Sequence, residues 1–270
     1  MRTETSAATG SGSQQPADTT EINGGGGNGN ETVARLVNAT KVFGKDDAAV
    51  TALDDVTIGF RKGEFTAVMG PSGSGKSTLM YCQSGLDRLT RGKAYIGDVD
   101  VSTLEDQDLS VLRRSKLGFI FQSFHLVPAL SARENITLPV DLDSDARVDE
   151  DFLAELADVL AIGNRLKNRP SELSGGQRQR VAVARAMIPR PDVIFADEPT
   201  GALDSKTSGE LLKYLRQAVD GLGQTIVMVT HDAVAASYCD RVVYVQDGRL
   251  VGEAARPSVD DVLDKIRELS

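Results

Sequence analysis

Residues 65–83 read FTAVMGPSGSGKSTLMYCQ, and the order of residue types in this stretch decides the fold. FTAVM is a short apolar run of strand-forming composition, and STLMYCQ after the turn has the make-up of a helix. Between them stands G-x-x-x-x-G-K-S over Gly70–Ser77, so the pattern lies in the strand, loop, helix context that makes it a phosphate-binding loop. Gly70, Gly73 and Gly75 let the backbone curl until successive N–H groups face one concave space, with Pro71, Ser72, Ser74 and Thr78 completing the loop. The helix N-terminus adds its partial positive charge to the same space. Lys76 brings a point charge for the β- and γ-phosphates of a nucleotide, and the Ser77 hydroxyl can reach a Mg2+ ion.

Two further apolar runs end in polar residues. DVIFADEP at 192–199 places Asp197 at a strand exit, where it can hold Mg2+ through water. Glu198 beside it points to the other face and can polarise a water for attack on the γ-phosphate. TIVMVTHD at 225–232 ends in Thr230 and His231. A lone histidine is usually only packed or solvated, but the C-terminal edge of a parallel strand is where open α/β sheets bind ligands.

ELSGGQRQR at 172–180 is a second glycine turn before a helix, this time without a lysine. Ser174 as N-cap and Gln177 three residues on form a capping box, which accounts for the helix start. It does not account for Gly175 and Gly176, because glycine in a first helical turn costs up to about 1 kcal/mol relative to alanine. Two residues without side chains beside a hydroxyl suit a phosphate that must approach the backbone, and without a cation such a site can only clamp a nucleotide held elsewhere.

Composition limits the alternatives. The 270 residues are 40% hydrophobic and 26% charged, ordinary for a globular α/β protein. The net charge of −9 is concentrated: −3 falls in residues 1–31 and −5 in 141–151, leaving −1 for the rest and no basic stripe of the kind nucleic-acid binding needs. Residues 1–31, with GSGSQQPADTT and NGGGGNGN, read as a disordered tail. The acidic run DLDSDARVDED has calcium-loop spacing at Asp141, Asp143 and Asp145, but Ala146 stands where glycine is needed and Phe152 where a bidentate glutamate is needed. It reads as a solvated loop. No apolar run approaches the roughly 18 residues of a membrane span and no signal peptide opens the chain, so a cytoplasmic location is expected and the sequons at Asn30, Asn38 and Asn135 carry no weight. Cys82 and Cys239 form no CxxC pair and read as packing residues.

GPSGSGKST, LSGGQRQR, ADEPT and THD, in this order and spacing over about residues 33–253, resemble the nucleotide-binding domain of ATP-binding cassette (ABC) proteins. The resemblance implies an α/β P-loop NTPase with a RecA-like core, an antiparallel β subdomain and a helical signature subdomain at about 104–189. The cassette would span 32–253, with 254–270 as a C-terminal extension. ATP and Mg2+ are the implied cofactors. LSGGQ of one copy would close over the ATP held by the lysine loop of another, in a head-to-tail dimer with two nucleotides between the copies. Matched to the family pattern, Gln122 in GFIFQSF would contact Mg2+ and the attacking water. Asp204 in TGALD would cross the dimer interface, Glu198 would be the general base and His231 the switch at the γ-phosphate. Phe43 in KVFGK stands near the place of an adenine-stacking aromatic, which is more often tyrosine. At the end, Asp247-Gly248 between alternating strands predicts a hairpin, and the spacing of VDDVLDKIREL at 259–269 a final helix.

Within the family, GFIFQSFHLVPALSARENITLPV and PTGALD are similar to the ATPase subunits of macrolide exporters and lipoprotein-release systems. That implies a separate transmembrane permease as partner and a place on the inner face of the cell membrane. The rival is a non-transport ABC ATPase regulating a membrane cell-division complex, which shares the motifs. DNA-repair members would show coiled-coil insertions or zinc cysteines, ribosome-associated members usually two cassettes, and a GTPase an Asn-Lys-x-Asp motif; none of these is in the sequence.

Overall fold

The computed structural model describes residues 31–269 apart from Ser144, so the expected tail at 1–31 lies, Glu31 excepted, outside the described residues. The chain begins with β1 (Thr32–Phe43) and β2 (Val50–Arg61), which pair antiparallel from Thr32 opposite Arg61 to Phe43 opposite Val50. It passes through β3 (Phe65–Met69) and α1 (Lys76–Gln83) before β4 (Arg91–Ile96) and β5 (Val99–Asp100) close a four-stranded antiparallel sheet in the order β2-β1-β4-β5. There follow α2 (Asp106–Lys116), β6 (Leu117–Phe121), α3 (Ala132–Asp141), α4 (Glu150–Val159) and α5 (Gly175–Met187). The last part holds β7 (Val193–Asp197), α6 (Ser205–Leu222), β8 (Ile226–Val229), α7 (Ala233–Ala236), β9 (Arg241–Gln246), β10 (Arg249–Ala255) and α8 (Val259–Glu268).

The second sheet has six strands in the order β10-β9-β3-β8-β7-β6. β9, β3, β8, β7 and β6 run parallel, and β10 pairs antiparallel with β9. Its central strands β3, β7 and β8 are apolar on both faces, as a covered parallel sheet requires, while the edge strand β10 is mostly exposed. Alternation divides them: Phe65, Ala67, Met69, Ile194 and Ala196 join the helices' core, while Val68, Val193 and Phe195 join a core shared with α1 and the antiparallel sheet. This is the expected α/β fold with a separate antiparallel layer. No helix of the described residues is long and apolar enough to cross a membrane.

Two expected boundaries move. The stretch 104–189 is not wholly a helical subdomain, because LGFIF forms the edge strand β6, parallel to β7. Gly118 permits this: a Cβ there would stand 2.5 Å from the Ala186 carbonyl, so α5 lies directly on the strand. Leu109 and Leu112 of α2 pack with the antiparallel sheet, so the helical part begins after Phe121. At the other end, residue 253 falls inside β10, and the helix expected in the 254–270 extension is α8, which seats the fully buried Val262 in the main core. The hairpin forms as expected, with φ of +49° at Asp247 and +75° at Gly248.

Candidate active site

Sheet register assembles the site. Val68 of β3 lies opposite Val229 of β8, Val229 opposite Asp197 of β7, and Asp197 opposite Phe121 of β6. The residues that leave these four strands are therefore neighbours at one C-terminal edge: the loop from Gly70, then Thr230 and His231, Glu198, and Gln122. Open α/β sheets bind ligands at this edge.

The loop after β3 is built by close approach. Gly70 has φ +149°, and a Cβ on it would meet the Val245 carbonyl at 1.9 Å; Gly75 has φ +102°, and its Cβ would meet the Ala52 carbonyl at 2.2 Å. Only glycine fits either place. Gly75 is the N-cap of α1 and supplies no side-chain acceptor, which leaves the N–H groups of the first turn free to meet an anion. The buried Ser74 hydroxyl has no hydrogen-bond partner.

Lys76 donates to the carbonyls of Gly70 at 3.0 Å and Pro71 at 2.6 Å. Burial holds its pKa below the usual lysine value, an effect opposed by the charges of Glu198 and Asp197. The ammonium rests on carbonyls of its own loop, where a phosphate would be a stronger acceptor.

Asp197 and Glu198 have separate partners, as strand alternation requires. Asp197 accepts from Ser77 Oγ at 3.1 Å and from Tyr81 OH at 2.6 Å, while Glu198 Oε1 lies 2.8 Å from His231 Nδ1. Glu198 has φ +49°, a conformation a non-glycine residue adopts at a cost, held by its N–H to the Val229 carbonyl at 2.9 Å. The His231 side chain is 74% exposed and free to meet a ligand. Gln122 is exposed and lies against Gly201, where a Cβ would come within 2.6 Å of its Nε2. Ser77 Oγ and the Asp197 carboxylate are hard oxygen donors in contact. Among the described residues no group of three or more His, Cys, Asp or Glu forms a cage. That donor set fits an ion such as Mg2+, which takes one or two protein oxygens and completes its shell from phosphate and water.

Other expected site residues fall elsewhere. Ser174 caps α5 with the predicted capping box to Gln177. Gly176 is buried, and a Cβ on it would stand 2.3 Å from Thr207 Cγ2 of α6, so packing within the chain already demands this glycine. A glycine is thus required at 176 by packing, whatever it does for a phosphate. Gly175 has no such packing reason, since its nearest neighbour would be Leu203 Cδ2 at 3.9 Å. Asp204 caps α6, accepting from the N–H groups of Lys206 and Thr207 and from Thr207 Oγ1 at 2.7 Å. The backbone N–H of Thr207 leads the bonds that hold its carboxyl below the usual range. Ser174–Gln177 and Asp204 thus form a second group joined through Thr207, and no hydrogen bond or ion pair among the described residues ties it to Lys76. Phe43 ends β1, 44% exposed, with Lys41 Nζ 4.6 Å from its ring centre.

Two residues escaped the sequence reading. Tyr81 lies four residues after Ser77 on the same face of α1, and that spacing was the available signal. Gln179 is fully buried and donates to the Pro199 carbonyl at 2.8 Å and the Phe121 carbonyl at 3.5 Å, tying α5 to the exits of β7 and β6. Its signal was a polar residue in the buried stripe Gly176, Gln179, Val183.

A family model described as ABC transporter matches residues 53–201. The chain is 43% identical over 220 residues to the bacitracin export ATP-binding protein BceA of Halalkalibacterium halodurans, covering 81% of this chain and 87% of BceA. It is 43% identical over 232 residues to the macrolide export ATP-binding/permease protein MacB of Burkholderia thailandensis, covering 85% of this chain but 35% of MacB. A solved dimeric structure of the ATP-binding cassette MJ0796 of Methanocaldococcus jannaschii, in a post-hydrolysis state with ADP and Pi, superposes with a TM-score of 0.75 at 38% identity, covering 83% of this chain and 99% of that one.

Proposed function

This chain belongs to the ABC transporter family, and we propose that it binds and hydrolyses ATP to power a separate membrane permease, as an exporter of the macrolide, lipoprotein or peptide type. The observation that carries the reading is the shared register of β3, β8, β7 and β6, which puts Lys76, Ser77, Asp197, Glu198, His231 and Gln122 at one edge.

The chemistry follows from those positions. The β3–α1 loop, Gly70 through Thr78, receives the phosphates on the free N–H groups of the first turn of α1, while the Ser74 N–H is already bonded to the Pro71 carbonyl at 3.3 Å, and Lys76 exchanges its two carbonyl acceptors for phosphate oxygens. Ser77, Asp197 and Gln122 would hold Mg2+, whose charge, when bound, would offset that developing on the transferred phosphoryl group. Glu198 takes the proton of the attacking water, oriented through its contact with His231. His231, being exposed, can turn from the carboxylate to the γ-phosphate. Phe43 offers a ring face for the base.

The group Ser174, Gly175, Gly176 and Gln177 with Asp204 serves the ATP of a second copy in a head-to-tail pair. Supporting this are the absence of a bond from that group to Lys76 among the described residues and the dimeric state of the M. jannaschii cassette. The exporter reading rests on the names of MacB and BceA. The 87% coverage of BceA, named as an ATP-binding protein, favours a permease on another polypeptide, which would hold this chain at the inner face of the cell membrane.

Glu198→Gln tests the reaction: it should bind ATP as the unmodified protein does while turnover falls about a hundredfold or more. Turnover near the unmodified rate would remove Glu198 from its role.

A further inference from the structure

α1 presents two hydroxyls to one carboxylate. Ser77 Oγ donates to Oδ1 of Asp197 at 3.1 Å, and Tyr81 OH, one helical turn further on, donates to Oδ2 at 2.6 Å. From this division we infer that Tyr81 is a positioning residue for the divalent ion: it occupies one oxygen of Asp197, fixes the carboxylate plane, and leaves Oδ1 with Ser77 as the face offered to the metal. The inference rests on the reading of Asp197 as a metal-holding residue.

The phenol is well placed to hold that geometry. Tyr81 is half-buried beside the core shared with the antiparallel sheet. Its main-chain carbonyl accepts from the N–H groups of Leu86 at 2.9 Å and Asp87 at 3.1 Å and from Ser84 Oγ at 3.2 Å, so the end of α1 is pinned as well as the ring.

A carboxylate held in one plane discriminates between ions. Mg2+ demands near-ideal octahedral geometry at short distances, whereas Ca2+ accepts longer and less regular ones. Tyr81 therefore acts on which divalent ion assists nucleotide binding. A purely structural tyrosine would not affect that choice.

The test uses the full chain, a fluorescent ATP analogue and titrations of Mg2+ and Ca2+. Tyr81→Phe removes only the hydroxyl and keeps the ring in the core. The expected result is unchanged analogue affinity without metal, a rise of about tenfold in the Mg2+ concentration for half-maximal enhancement, and a smaller rise for Ca2+. Asp197→Asn, run beside it, should lose the metal-dependent enhancement. If Asp197→Asn loses it and Tyr81→Phe titrates as the unmodified protein does, Tyr81 has no positioning role and the metal reading stands. If Asp197→Asn keeps the enhancement, both readings fall. An equal rise for both ions, or weaker binding without metal, would make Tyr81 structural and overturn the inference.

Discussion

Replacing the two glycines of the signature turn one at a time separates packing from function. At Gly176 an added Cβ would stand 2.3 Å from Thr207 Cγ2, closer than any real contact, and Gly176 is buried. Overpacking of this kind costs about 1–3 kcal/mol, while alanine in a helix gains up to about 1 kcal/mol over glycine. Gly176→Ala should therefore be destabilised by about 1 kcal/mol, which at this chain length lowers the thermal midpoint by about 2–4 °C. Gly175 gives the opposite sign: its nearest neighbour would be at 3.9 Å and its φ is not positive, so Gly175→Ala should gain about 0.4–1 kcal/mol. The clash has an identifiable partner atom. Thr207→Ser deletes Cγ2 and keeps the hydroxyl that donates to Asp204, so Gly176→Ala with Thr207→Ser should recover most of the loss. Urea unfolding of the four proteins gives the coupling energy. The ATPase assay then reads function: Gly175→Ala, although the more stable, should lose turnover because its side chain occupies space kept for the other copy's phosphate. Gly176→Ala as stable as the unmodified protein, with no coupling to Thr207→Ser, would refute the packing argument. Full turnover in Gly175→Ala would refute the functional one.

Other outcomes follow from charge. Lys76→Met should weaken ATP binding about 10- to 100-fold by calorimetry, the loss of a charge-assisted contact to phosphate. Because burial holds the Lys76 pKa below 10.5, the ammonium is lost at a lower pH than in free lysine, and bound phosphate favours the charged form. ATP affinity should therefore fall, with proton uptake on binding, as pH rises through that lowered value; calorimetry in buffers of different ionisation enthalpy measures the uptake, and none below 10.5 would contradict it. Asp240 is half-buried, and its bonds from Arg216 at 2.8 Å and Phe65 N–H at 3.1 Å outweigh burial and hold its pKa below 3.8. Its stabilisation is complete above 3.8 and lost as pH falls through the lower folded value, so Asp240→Asn should flatten the acid limb of a stability-versus-pH curve.

The parts legible in the sequence were those whose residue types answer one local demand. Gly70, Gly75 and Lys76 follow from the loop's need to curl and carry charge, and Asp197, Glu198 and His231 from polar residues ending apolar strands. The edge strand β6 was hidden because LGFIF is short and apolar, and a run of that length does not distinguish a strand from a buried helix segment. The packing demand at Gly176 was hidden because its neighbour, Thr207, is 31 residues away on another helix. The Tyr81 contact required knowing that α1 crosses the end of β7, a fact of tertiary packing. What the sequence did carry, in the absence of a lysine at Ser174–Gln177, was that this turn alone is an incomplete nucleotide site.

If one chain holds half of each site, ATP must bring two chains together. The most direct measurement is the solution mass of Glu198→Gln by light scattering with ATP and Mg2+, with and without Ser174→Arg added. Glu198→Gln should show twice the 28.8 kDa of a single chain, and the double variant 28.8 kDa with its ATP affinity retained. A single-chain mass for Glu198→Gln at saturating ATP, or loss of ATP binding by the monomeric double variant, would contradict it.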